Sequence, residues 1–165
     1  MNKNVQPIPK GFHTLTPYLA IKGAAQAIEF YKKAFNAVER FRMPAPNGKS
    51  IGHAEIMIGD SILMLSDEMP ECDKFAPTDS KSTPVSFVLY VKDVDASFAQ
   101  AVKAGAKIKQ PLEDKFWGDR AGSVSDSFGY EWMLMTHKED VPPDEMKKRM
   151  EKVCAKTAKL AEQTA

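Results

Sequence analysis

Apolar and polar positions follow two rhythms along the 165 residues. From Ala24 to Phe35, the residues Ile28, Tyr31 and Phe35 recur at helical spacing. A second helical stretch, Val94 to Ala104, ends at Gly105. Around these helices the chain alternates in short runs, which predicts strands. The runs are Thr14 to Ile21, Val38 to Met43, His53 to Ile58 and Ser61 to Ser66, then Val85 to Val91, Lys107 to Leu112, Arg120 to Ser125 and Tyr130 to Thr136. Gly59-Asp60 reads as a two-residue hairpin turn and Asp126 to Gly129 as a four-residue one. The order is strand–helix–strand–strand–strand, and then the same again.

The halves also align by residue. Tyr18-Leu19-Ala20-Ile21-Lys22 falls on Val88-Leu89-Tyr90-Val91-Lys92 at an offset of 70 (88 − 18), and Ile62-Leu63-Met64-Leu65 on Glu131-Trp132-Met133-Leu134 at 69 (131 − 62). This is a structural repeat of low identity. The predicted modules span residues 12–67 and 85–138, joined by a proline-rich, charged linker, 68–84. Pro142-Pro143-Asp144-Glu145 opens a further helix, 142–165, with a stripe of Met146, Met150, Val153, Thr157 and Leu160.

Alternation sorts each strand into two faces. One face is apolar, with Leu15, Leu19, Ile21, Leu63 and Leu65 in the first half and Phe87, Leu89, Val91, Trp132 and Leu134 in the second. Each such Leu or Phe is worth about 1.5–3 kcal/mol when buried, so this face packs on the helices. The other face is mixed. It carries Thr16, Tyr18, Ala20, Ile62, Met64 and Ser66, then Ser86, Val88, Tyr90, Glu131, Met133 and Met135. The first hairpin places Glu55 opposite Met64 and adds His53 and Glu55 to the mixed face. A four-residue second turn pairs Val124 with Glu131 and Arg120 with Met135, which adds Arg120 as well. Aromatic, thioether and hydroxyl groups with a few charges suit the wall of a small-molecule pocket.

Composition narrows the classes. The net charge of +1 and the lack of a Lys/Arg block weigh against nucleic acid as a partner. No run is long enough to span a membrane, and residues 1–11 lack the apolar core of a signal peptide, so cytoplasmic residence is expected. Cys72 and Cys154 are read as free thiols.

With its motifs, this repeat resembles the vicinal oxygen chelate superfamily, the glyoxalase, bleomycin-resistance and extradiol-dioxygenase group, and within it the PhnB-like branch. The stretches that carry the resemblance are Pro17-Tyr18-Leu19, Ile28 to Phe35, His53-Ala54-Glu55, Gly59 to Glu68, Phe116-Trp117-Gly118-Asp119-Arg120 and Asp126-Ser127-Phe128-Gly129. The resemblance implies an α+β fold. Two βαβββ modules form an open, cup-shaped mixed sheet, with an extra C-terminal helix and commonly a homodimer. It also implies four metal-ligand positions in metal-dependent members, usually His, Gln or Glu. Here they fall on Thr16, Met64, Ser86 and Met133, none of which suits a hard divalent ion. No resident cofactor is therefore expected. The alternative is a lyase or dioxygenase with a divalent ion displaced to His53, Glu55 and Glu131.

The expected ligand is a small polar or anionic organic molecule in the cup. Its candidate contacts are Tyr18, His53, Glu55, Met64, Tyr90, Trp117, Arg120, Glu131 and Met133. Glu55 is the candidate catalytic group, because a carboxylate inside a cup needs a partner or a task. The structural alternative pairs it with Arg120. Arg120 itself is a candidate anion clamp, or else a rim ion pair with Asp119 or Glu131. Trp117 is either a stacking lid or an aromatic that caps the core edge. The methionines read more readily as packing than as soft-metal ligands.

Overall fold

The computed structural model describes residues 5–78 and 84–163, with 156–163 by backbone alone. The first module contains β1 (Tyr18–Ile21), α1 (Ala24–Phe35), β2 (Val38–Pro44), β3 (Ile51–Ile58) and β4 (Ser61–Asp67). The second contains β5 (Ser86–Tyr90), α2 (Val94–Lys103), β6 (Lys107–Asp114), β7 (Asp119–Ser125) and β8 (Glu131–His137). A final helix, α3, spans Pro143–Gln163. The strands form two four-stranded mixed sheets, ordered β1-β4-β3-β2 and β5-β8-β7-β6. In each, the first strand pairs parallel with the last and the rest are antiparallel. The crossover helix makes that parallel closure possible.

One apolar core serves both modules. Ile28, Tyr31 and Phe35 of α1 and Val94, Phe98 and Ala101 of α2 join Leu19, Ile21, Ile56 and Leu65 of the first sheet and Val124, Trp132 and Leu134 of the second. Gln100 of α2 also donates to the Lys33 carbonyl and to Asn36 at the end of α1. The opposite face of each sheet, which we call the open face, carries the residues sorted there by alternation, except Thr16, which precedes β1, and Arg120.

The repeat extends to how each helix begins. Gly23, at the N-cap of α1, has φ 90° and offers no side-chain cap. Asp67, at the end of β4, takes that role across the sheet: its Oδ1 accepts from the Gly23 and Ala24 amides at 3.0 and 2.8 Å. Its Oδ2 accepts from the Ile51 amide at 2.7 Å. The equivalent residue in the second module is Thr136, 69 positions later (136 − 67). Its hydroxyl accepts from the Val94 amide and donates to the Val91 carbonyl. Asp93 adds a cap of its own by accepting from the Ala96 amide.

Two sequence expectations are corrected here. First, β1 begins at Tyr18 rather than Thr14. Pro17 has no N–H to give a ladder, so Leu15 lies outside the strand and is exposed rather than in the core. Second, the β7–β8 loop has five residues, not four. Asp126 folds back to accept from the Phe128 and Tyr130 amides, and Ser125, not Val124, faces Glu131. A one-residue slip inverts every side chain of β7. The expected α+β fold of two βαβββ modules is borne out, its mixed sheet built of two hydrogen-bonded halves with β1 and β5 as edge strands that share no ladder. In α3, the side chains of Thr157 and Leu160 lie outside the described residues, as do residues 79–83 of the linker.

Candidate functional site

The first sheet gathers a polar cluster on its open face. β3 contributes His53 and Glu55, β4 contributes Met64, and β1 contributes Tyr18, with Tyr18 and Glu55 both in register with Met64. The Tyr18 hydroxyl lies 3.3 Å from His53 Nδ1 and their rings are 5.5 Å apart. His53 Nε2 lies 3.6 Å from Glu55 Oε1. Phenol, imidazole and carboxylate thus stand in a row, an order that can pass a proton along it. All three stay partly open to solvent, Tyr18 at 40%.

Two cations complete this cluster, and neither was foreseen. Arg40 Nη1 lies 3.9 Å from Glu55 Oε2. It arrives through a bulge in β2, where the register with β3 shifts between Glu39 and Phe41. Glu55 is therefore partnered by Arg40 and His53, not by Arg120. Lys74 belongs to the linker. Its Nζ sits 4.4 Å above the centroid of the Tyr18 ring. The loop is held by a Met69–Lys74 bridge after the turn Pro70–Cys72, which sequence reading left as structureless.

The second sheet builds a separate cluster around Asp119, which the sequence offered only as a rim partner for Arg120. Asp119 is buried at 4% exposure and accepts three hydrogen bonds. They come from Trp117 Nε1 at 2.9 Å, the Tyr90 hydroxyl at 3.3 Å and His137 Nδ1 at 2.7 Å. His137 Nε2 meets Asp140 at 3.0 Å. The hydrogen bond to Asp119, and then that to Asp140, pushes the His137 imidazole above its ordinary value. The Tyr90 phenol is raised too, first by desolvation and then by the Asp119 charge. Trp117 is thus anchored by its indole N–H, and both Trp117 and Tyr90 are drawn to the same carboxylate. Glu131 and Met133 share this open face, half-buried, with Glu131 opposite Ser86 and Ser125.

Arg120 is not in either cluster. The slipped register turns it to the helix side, where its guanidinium grips Asp95 of α2 through two bonds of 2.8 and 2.7 Å and reaches Asp114 at 3.5 Å. The two-bond grip holds the Asp95 carboxyl below its usual range and lifts the guanidinium further. Neither Asp119 nor Glu131 is its partner.

The four positions at which the resemblance implies metal ligands carry none suited to a hard divalent ion. Thr16 precedes β1 and spends its hydroxyl on the His13 carbonyl. Met64, Ser86 and Met133 offer thioethers and a neutral hydroxyl, the wrong donors for a hard divalent ion. Among the described residues, no three His, Cys, Asp or Glu side chains are grouped so as to hold a metal ion, and Glu131 does not join His53 and Glu55. The donors present do not fit such an ion.

Comparison with known proteins agrees with this architecture. Residues 12–134 match the model of the Glyoxalase/Bleomycin resistance protein/Dioxygenase superfamily. The chain is 43% identical over 150 residues to an uncharacterised protein of Mycobacterium tuberculosis strain H37Rv, covering 89% of this chain and 84% of that one. It is 30% identical to an uncharacterised Arabidopsis thaliana protein, over 73% of this chain and 75% of that one. Among solved structures, TioX from Micromonospora sp. ML1 superposes with a TM-score of 0.60 at 28% identity, covering 76% of this chain and 98% of TioX. The chain belongs to the glyoxalase/bleomycin resistance/dioxygenase superfamily.

Proposed function

Taking that membership as the premise, we propose that this protein binds a small polar or anionic organic molecule on the open face of its first sheet, without the ion of the metal-dependent members. The observation that carries the reading is the row Tyr18–His53–Glu55 with Arg40 beside it, partly open to solvent on a face otherwise lined by Met64 and Phe41. A few directed polar groups on an apolar wall are what a pocket of this class uses. A fragment screen read by NMR tests it: hits should move the His53 and Glu55 resonances, and Glu55→Ala should abolish their binding. Hits that all map elsewhere would overturn it.

The same row favours a second reading, an enzyme of the glyoxalase or dioxygenase type in which His53 and Glu55 move a proton. Elemental analysis of protein purified without a chelating tag, with Zn, Ni, Mn and Fe titrated back, separates the two. Stoichiometric binding of one ion that is lost in Glu55→Ala favours the enzyme.

A homodimer in the cytoplasm is part of the proposal, as is kinship with the PhnB-like branch. Val38, Phe41 and Met43 of β2 and Val88 and Tyr90 of β5 are 48–66% exposed on the open faces, a large apolar area to leave in water. Sedimentation velocity should return a dimer mass.

A further inference from the structure

Between the two sheets, where edge strand β1 faces edge strand β5, the chain leaves a crevice of about 650 Å³ under the linker. Four aromatic rings line it: Tyr18, Phe75, Phe87 and Tyr130. Among the described residues, no charged side chain is in its lining. The Tyr130 hydroxyl is committed to the Ala20 carbonyl at 2.8 Å, which leaves the ring as its contribution. Phe75 is 61% exposed, an unusual place for a phenylalanine next to an open crevice of this size.

Lys74 stands directly before Phe75 of the lining. Its ammonium lies over the Tyr18 ring, and among the described residues it has no carboxylate within ion-pair distance. Asp73 and Glu71 of the same loop do not pair with it. The Lys74 main chain is fixed independently of the side chain, since its amide and carbonyl both bond to Met69. A held cation without a counter-charge, at the edge of an aromatic crevice, has one complementary chemistry. It suits a planar apolar body that carries a single negative group.

We infer that the crevice between the modules is a second binding site, for an aromatic carboxylate whose ring enters among Tyr18, Phe75, Phe87 and Tyr130 and whose charge is met by Lys74. The crevice volume falls in the range that holds a small organic ligand. The site does not depend on the open-face reading, although Tyr18 and Lys74 border both.

The experiment is a titration of the full chain with phenylacetate and with phenylacetamide, its neutral isostere, by calorimetry and NMR shift mapping. The wild type should bind phenylacetate about tenfold tighter than the amide, the scale of one charge-assisted contact. Lys74→Gln should erase that difference while leaving amide binding unchanged. Phe75→Ala should weaken both ligands. Equal affinities in the wild type, a difference that survives Lys74→Gln, or no saturable phenylacetate binding would each overturn the inference. If Glu55→Ala abolishes phenylacetate binding and Phe75→Ala does not, the ligand sits on the open face: this site falls and the reading above stands.

Discussion

At the scale of the residue, the most informative group is His137, which lies between two carboxylates. Asp119 reaches it from β7 and Asp140 from the segment after β8, and the same Asp119 also holds Trp117 and Tyr90. The folded chain keeps the His137 proton to a higher pH than the unfolded chain, where the ordinary value is about 6.5. Its contribution to stability is therefore complete below that value and is lost as pH rises through the raised, folded-state value. NMR titration of the imidazole should give a midpoint above that of a free histidine, and Asp119→Asn should bring it back down. An unshifted wild-type midpoint would contradict the geometry. None of this cluster was legible in the sequence beyond Trp117 and Tyr90 as candidates. The signal was present, since Asp119 and His137 sit at the mouths of paired strands, but reading it required the correct register. One residue of error in the β7–β8 loop sent Arg120 to the open face and hid Asp119.

At the scale of the element, the helices were readable because their apolar spacing and their ends agree. α1 runs from Ala24 to Phe35 as the spacing predicts, and Asn36 at φ 55° stops it. The strand order, the Gly59-Asp60 hairpin and its register were readable for the same reason. Local turn chemistry and alternation pointed one way. What was not readable depends on tertiary partners: the bulge that brings in Arg40, the loop that brings in Lys74, and the trans cap of α1. Gly23 cannot cap, so Asp67 substitutes from the far end of the module. Asp67→Ala should cost about 1–2 kcal/mol of unfolding free energy, the scale of a lost N-cap. Urea denaturation measures it, and Asp67→Asn should recover part of the loss. A midpoint unchanged by Asp67→Ala would mean that water replaces the carboxylate.

At the scale of the whole molecule, the two modules are joined by more than packing. Asp126, at the β7–β8 loop, is buried, and its Oδ2 accepts from the Tyr31 hydroxyl of α1 at 2.9 Å and from Trp132 Nε1 at 2.8 Å. Burial, and then the Asp126 charge, raises the Tyr31 phenol well above its ordinary value. One carboxylate thus ties the first module's helix to the second module's turn. Asp126→Ala would leave buried donors unpaired and should cost about 3 kcal/mol, with both modules losing stability together in one transition. Separate transitions by tryptophan fluorescence and far-UV circular dichroism would show instead that the halves unfold alone. The repeat and the family could be seen in the sequence at this scale, but the tie could not. Its two ends are 95 residues apart (126 − 31) and look like an ordinary helix tyrosine and an ordinary turn aspartate. The tie also bears on how such a protein can be divided. Since core and carboxylate join the halves, the peptide bonds of the linker are not what keeps them together. A gene split there would give two polypeptides, each with half a core, that find one another by the surface they already share.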